Sequence, residues 1–175
     1  MKKLMYAIVI ALIALALDAC AKAPPQSSTG PQAGAAMINP GDRVGDFIIT
    51  TGNGEDVVYV KQLHCIFERK TGTQSCLEPV GTKVNIGLGV YDDPLHGKAL
   101  DELWARQTHQ MTIEGRPVNL PAFGTVELNL PVVGKVRVWN VVVIADKPCR
   151  ITAHSQGVLG GDPFDYTATV KFTAQ

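Results

Sequence analysis

The sequence predicts an all-β domain, an antiparallel β-sandwich with one short helix, on three observations. From Ile38 to the C-terminus, several short stretches alternate apolar and polar residues with period 2. Gly- and Pro-containing clusters punctuate those stretches, and a single stretch has helical spacing instead. A partly open barrel is the alternative closure for the same pattern. The chain has 175 residues, 46% of them hydrophobic, which suits one domain plus short extras and excludes compositional disorder. Its 16 basic and 16 acidic side chains cancel, so it lacks the basic footprint expected of a nucleic-acid partner.

The N-terminal segment reads as an address. Lys2 and Lys3 precede an apolar run of 14 residues, Leu4 to Leu17, the length of a signal-peptide core and shorter than the roughly 20 residues of a spanning helix. Leu17-Asp18-Ala19-Cys20 follows and resembles the bacterial lipobox, with Asp18 where a small or apolar residue is usual. That resemblance implies cleavage before Cys20, a diacylglycerol on its thiol and an acylated amine. Ala19-Cys20-Ala21 also reads as an ordinary signal-peptidase site with cleavage after Ala21. Residues 21–37 are rich in Ala, Pro, Gln, Ser and Gly and read as a flexible tether. The expected organisation is a signal peptide over 1–19, lipidated Cys20 and linker over 20–37, and a β-sandwich over 38–175. Without residues 1–19 the chain carries 14 basic and 15 acidic side chains.

Three strands read cleanly. Val84, Ile86, Leu88 and Val90 form one face of the first, Val126, Leu128 and Leu130 of the second, and Tyr166, Ala168, Val170, Phe172 and Ala174 of the third. Val57–Phe67 is a less regular strand, with Lys61 on its apolar face. Lys135–Ala145 is nearly continuous after Val138 and predicts a central strand buried on both faces. Thr51–Gly54, Glu114–Pro117 and Gly160–Pro163 supply turns. Lys98–Gln107 predicts a short helix bridging two strands or two sheets, with Leu100, Leu103 and Trp104 on its inward side.

The apolar run Trp139-Asn140-Val141-Val142-Val143, the turn at Lys147-Pro148 and the closing strand Asp165–Thr173 resemble small bacterial surface lipoproteins that carry an immunoglobulin-like sandwich. Cys149 and Ile151 depart from the Gly and His of that family's turn. The resemblance implies a fold and no activity.

Cys65 and Cys76 flank a segment whose turn is Arg69-Lys70-Thr71-Gly72, with Gly72 free to take positive φ. A hairpin of this length sets the two cysteines opposite each other, where non-hydrogen-bonded Cα atoms lie ~4.5 Å apart, within disulfide reach. In an oxidising compartment a Cys65–Cys76 bond is expected, worth roughly 2–3 kcal/mol for so small a loop. Cys149 reads as a buried small residue, or as a reactive or intermolecular thiol.

Motifs that carry chemistry are sparse. His64, His96, His109 and His154 have no metal-pair spacing, and neither HExxH nor Gly-x-Ser-x-Gly occurs. The carboxylates of Asp92, Asp93, Asp101 and Glu102 form the densest polar cluster. They are candidate calcium ligands, or else an Asx turn before Pro94 and acidic residues at a helix start. No cofactor is implied. The expected function is a membrane-anchored extracytoplasmic module of the cell envelope that binds, without enzymatic activity, a protein or glycan. A calcium- or glycan-binding surface module around Tyr91–Glu102 is the second reading. A hydrolase with a spatially assembled site is the third.

Overall fold

The computed structural model describes residues 36–53, 57–59, 65–68, 71–92, 99–130, 134–159 and 161–174, and for 58–59, 65–68 and 130 the backbone alone. The signal segment 1–19, Cys20, the linker through residue 35, His64, Asp93 and His96 lie outside the described residues.

Most of the described chain is strand, in three sheets. A five-stranded sheet has the order β1 (Arg43–Val44), β2 (Phe47–Thr50), β12 (Val142–Ala145), β6 (Lys83–Asn85), β3 (Val57–Tyr59). A six-stranded sheet has the order β4 (Cys65–Glu68), β5 (Thr73–Pro79), β14 (Asp162–Thr173), β13 (Cys149–Leu159), β8 (Thr108–Ile113), β9 (Arg116–Pro117). The third comprises β10 (Thr125–Leu130), β11 (Gly134–Trp139) and β7 (Gly89–Tyr91). Two short helices, α1 (Leu100–Ala105) and α2 (Leu120–Phe123), complete it.

The all-β expectation holds, but purely antiparallel pairing does not. β5 runs parallel to β14 and β3 parallel to β6. The single strand expected over Val57–Phe67 is also divided, with β3 in the five-stranded sheet and β4 in the six-stranded one.

Two further runs that read as single strands each change sheets halfway. Residues 83–91 divide into β6 and β7, and 134–145 into β11 and β12. The two segments run side by side, and their register carries straight through the bend: Asn85 faces Val142 on one side of it and Gly89 faces Val138 on the other. Between them Ile86 donates to Val141 O at 2.9 Å and Trp139 donates to Leu88 O at 3.1 Å. Close approach makes the bend possible, because a Cβ at Gly87 would strike Trp139 O and one at Gly89 would strike Arg137 O. Two asparagines hold it. Asn85, expected on a polar face, is 1% exposed; it donates to Trp139 O at 3.1 Å and accepts from Gly87 N–H at 2.9 Å. Asn140 exchanges hydrogen bonds with the backbone of Gly52 at 3.0 and 2.8 Å.

The larger core lies between the five- and six-stranded sheets. Phe47, Ile49, Val84, Val143 and Ala145 from one face meet Met111, Ile113, Ile151, Val170 and Phe172 from the other. Phe47 and Phe172 touch with ring centroids 6.3 Å apart. Val141, Val142 and Val143 are all fully buried, so the expectation of a strand closed on both faces holds for β12. The alternation of the last strand is also observed: Ala168, Val170 and Phe172 are buried, Tyr166 is half-buried, and Ala174 is exposed.

Tight turns connect the six-stranded sheet. β13 and β14 pair from Leu159–Asp162 down to Cys149–Phe172. β8 and β9 turn through Glu114 and Gly115, both at positive φ (49° and 76°), and the Glu114 carboxylate accepts the Thr152 N–H at 2.6 Å. Ile38 is fully buried, donating to Pro117 O at 2.8 Å and accepting from Asn119 N–H at 2.9 Å. The adjoining Ala36 carbonyl accepts from the Arg116 guanidinium at 3.4 Å, so the preceding chain leaves beside the β8–β9 turn.

Candidate functional site

The inner face of the six-stranded sheet changes character along its length. Residues directly opposite on neighbouring strands share a face, so the register defines rows across it. Cys149 lies level with Phe172, and Ile151 with Val170 and Cys76. The next row is Ile113, Ala153, Ala168 and Gln74, followed by Met111, Ser155 and Tyr166. The last is His109, Gly157 and Phe164. Apolar side chains fill the first rows; polar ones enter at Gln74 and Ser155, which are buried, and at Tyr166, whose hydroxyl donates to Gln74 Oε1. Burial pushes the Tyr166 phenol up to about 12.

In the last row the imidazole and the phenyl ring meet edge to face, 5.4 Å between centroids, above a residue with no side chain. Gly157 has φ 149°, and a Cβ there would run into the Thr108 carbonyl. Glycine is therefore required by the backbone, and its vacancy is what lets His109 reach Phe164.

Beyond this row lies a second, smaller core. Val90, Leu100 and Leu103 form it, with Trp104 and Leu159 packed against them. α1 reads as expected: Leu100 and Leu103 face inward, Trp104 joins them, and Asp101 and Glu102 occupy the first turn. It joins β7 of the three-stranded sheet to β8 of the six-stranded one. With six residues and no side-chain cap at Ala99, it depends on this packing for its stability.

Trp104 and Trp139 bridge the two cores with ring centroids 5.1 Å apart, Trp139 packing on the larger one. Arg137 lies beside Trp139 on β11, its guanidinium carbon 5.6 Å from the centre of the Trp104 ring. It donates from Nε to Glu127 at 2.8 Å, from Nη2 to Glu127 again, and from Nη2 to Asp101 at 2.7 Å. Those hydrogen bonds, to Glu127 first and then Asp101, raise its pKa further.

The seam between the cores contains polar atoms without partners. Both ring nitrogens of His109, both amide atoms of Gln107 and the indole nitrogen of Trp139 are buried and make no hydrogen bond. Gln107 immediately precedes β8, two residues before His109. Its backbone N–H donates to Trp104 O at 3.2 Å, while Trp104 pairs with Trp139 and His109 with Phe164. A buried polar group without a partner costs about 1–3 kcal/mol, which makes this the most expensive region of the described fold. Burial pushes the His109 pKa down from 6.5 to about 4, so its ring is neutral at physiological pH, one nitrogen a donor and the other an acceptor.

The candidates read from the sequence are dispersed. Asp101 pairs with Arg137, and Glu102 pairs with Arg106 at 2.9 Å, so these neighbours in sequence serve different arginines. The Asp92 N–H donates to Lys135 O at 2.8 Å. Among the described residues no group of three potential metal ligands converges. His154 Nε2 lies 2.8 Å from Asp165 Oδ1 on the exposed outer face of the six-stranded sheet. Cys65 and Cys76 are register partners, and Gly72 of the expected turn has φ 62°, while Arg69 and Lys70 lie outside the described residues. Cys149 is buried.

No family model, curated protein or solved structure matches the chain.

Proposed function

We propose that the chain is a lipid-anchored extracytoplasmic lipoprotein whose β domain works by binding a component of the cell envelope. The observation that carries this reading is Leu17-Asp18-Ala19-Cys20, set between a 14-residue apolar run and a linker rich in Ala, Pro, Gln, Ser and Gly. Two or three acyl chains on Cys20, at ~0.8 kcal/mol per buried methylene, hold such a domain at a membrane surface essentially permanently. The reading keeps the immunoglobulin-like resemblance as a description of the two sheets sharing the larger core, and a Cys65–Cys76 bond formed on the oxidising side.

The geometry of the chain's entry supports a tethered binding domain. Ala36 leaves beside Arg116, level with Ile113, whereas Gln107 stands six residues back along β8, about 20 Å away at ~3.3 Å per residue. The tether thus joins the sheet at one end, and β8 extends away from it.

The test is the intact mass of full-length protein recovered from solubilised envelope, together with its fractionation. Acylation at Cys20, and release of a Cys20→Ala chain from the membrane fraction, are the expected results. A mature chain that begins after Ala21 and carries no lipid would overturn the anchor.

A further inference from the structure

We infer that the outer face of the six-stranded sheet docks on an anionic lipid surface through Arg150, Lys171 and Leu77. This names the surface that meets the membrane, and it rests on the reading of the chain as lipid-anchored. The register sets the three residues side by side at one level: Arg150 on β13 lies opposite Lys171 on β14, and Lys171 lies opposite Leu77 on β5. Their strand neighbours Cys149, Ile151, Val170, Phe172 and Cys76 are buried, so the three side chains project from the other face, where all are exposed. Leu77, at 57%, is the most exposed large apolar side chain among the described residues. Directly opposite residues of an antiparallel pair have Cβ atoms about 4.5–5.5 Å apart, and two cations at that spacing repel. Neither side chain has an ion pair among the described residues. Arg43, Arg106 and Arg137 each pair with a carboxylate and Arg116 with the Ala36 carbonyl, which leaves Arg150 as the described arginine without a partner.

Like charges held opposite each other lower stability, and an anionic partner relieves that repulsion. The apolar side chain beside them suits a partner that is anionic at its surface and apolar beneath, which headgroup phosphates over acyl chains supply. The adjoining row, Thr152, Thr169 and Ser75, carries no charge to repel phosphate. The carboxylates of Glu114 and Asp165 are engaged, with the Thr152 N–H and with His154. The chain's entry fits the same orientation. Ala36 leaves beside Arg116, whose register partner Ile113 is level with Ala153, three residues or about 10 Å along β13 from Arg150. Cys20 and Ala36 are 16 residues apart, a span of at most about 55 Å. An anchor at Cys20 therefore keeps this half of the sheet close to the bilayer, where a weak contact is enough to orient the domain. Each cation beside an anionic surface strengthens such a contact about fivefold.

The experiment reconstitutes the full-length protein on vesicles of phosphatidylcholine alone, or of phosphatidylcholine and phosphatidylglycerol in equal parts, and recovers both by flotation. The rate at which an uncharged amine reagent modifies each lysine is then mapped by peptide mass. Lys171 is expected to react about fivefold more slowly on the anionic vesicles and to regain its rate at high salt. Lys135, exposed on the three-stranded sheet, keeps its rate throughout. Arg150→Gln and Leu77→Gln, both at exposed positions that leave the core intact, should each remove most of the protection at Lys171. The inference is overturned if Lys171 reacts equally on both vesicles, if Lys171 and Lys135 slow together, or if both substitutions leave the protection in place. Equal protection by inorganic phosphate without vesicles overturns the lipid surface in favour of a free anion. The mass at Cys20 reads the anchor separately. Acylated protein with an unprotected Lys171 sinks this inference alone, and a protected Lys171 on a chain without lipid sinks the anchor alone.

Discussion

The two cores of this domain are built partly from the same strands, yet they are unlike. Between the five- and six-stranded sheets the middle of the core is apolar and closed: Val143, Ile151, Val170 and Phe172 are at most 1% exposed. The core under α1 has only three buried residues, Val90, Leu100 and Leu103, with Trp104 and Leu159 packed against them, and the ends of β8 and β14 carry His109 and Phe164. Regular strand geometry guarantees that side chains alternate, not that each site is filled by something content to be there. Stability resides where alternation meets Val, Ile and Phe; where Gln107, His109 and Trp139 stand instead, buried polar atoms are left without partners.

The sharpest way to break the comparison is to truncate one residue in each core. Phe172→Ala is expected to cost about 3–5 kcal/mol, whereas Leu103→Ala, in the thinner cluster, should cost about 2 kcal/mol. Urea denaturation of both variants checks this, and equal losses would erase the distinction.

Acid should then discriminate between the regions through His109. Its ring takes up a proton below about pH 6.5 in the unfolded chain and only below about 4 in the folded domain. Between those values protons favour unfolding: the stability is fully present above pH 6.5 and falls by up to about 3 kcal/mol on the way to pH 4. His109→Phe should flatten that part of the acid limb, measured as the difference between variant and parent across a pH series, while Phe172→Ala leaves its slope unchanged.

Reduction should weaken the β4–β5 edge. If Cys65 and Cys76 are joined, Cys65→Ser is expected to lower stability by roughly 2–3 kcal/mol under oxidising conditions and to have little effect in the presence of a reductant. Thiol counting under denaturing conditions gives the direct check. The smallest effect belongs to the pair beside Trp104: Asp101→Asn should cost less than about 1 kcal/mol and lose even that at high salt, because the carboxylate is 86% exposed.

Much of the larger core was legible from period 2 alone. The face of Ala168, Val170 and Phe172, the facing cysteines and the turn ending at Gly72 all follow from local pattern, which acts over a few residues. The change of sheet within residues 83–91 and 134–145 does not, because hydrophobic periodicity records which side of a strand is buried and not which sheet it belongs to. The only local signs are Gly87, Gly89 and the two asparagines, whose use depends on a neighbour more than fifty residues away. The seam was missed because its residues straddle a helix end and a strand start. Extending the alternation of Ile113 and Met111 backwards reaches His109 and Gln107, which is the one signal that could have found it. Conversely, the Asp92–Glu102 carboxylates drew attention by proximity in sequence, and folding sends Asp101 and Glu102 to different arginines.

The parallel pairing of β5 with β14 governs how this chain can reach its final state. Thr73 and Thr167 become neighbours across 94 steps of chain, and β14 is the last of the described strands. The β4–β5 hairpin therefore waits with one bare edge until β14 has been made, a long-range closure of the kind that makes folding slow. Because β14 sits between β5 and β13, a chain cut short before Asp162 loses the middle of its largest sheet and leaves two unpaired edges open to aggregation.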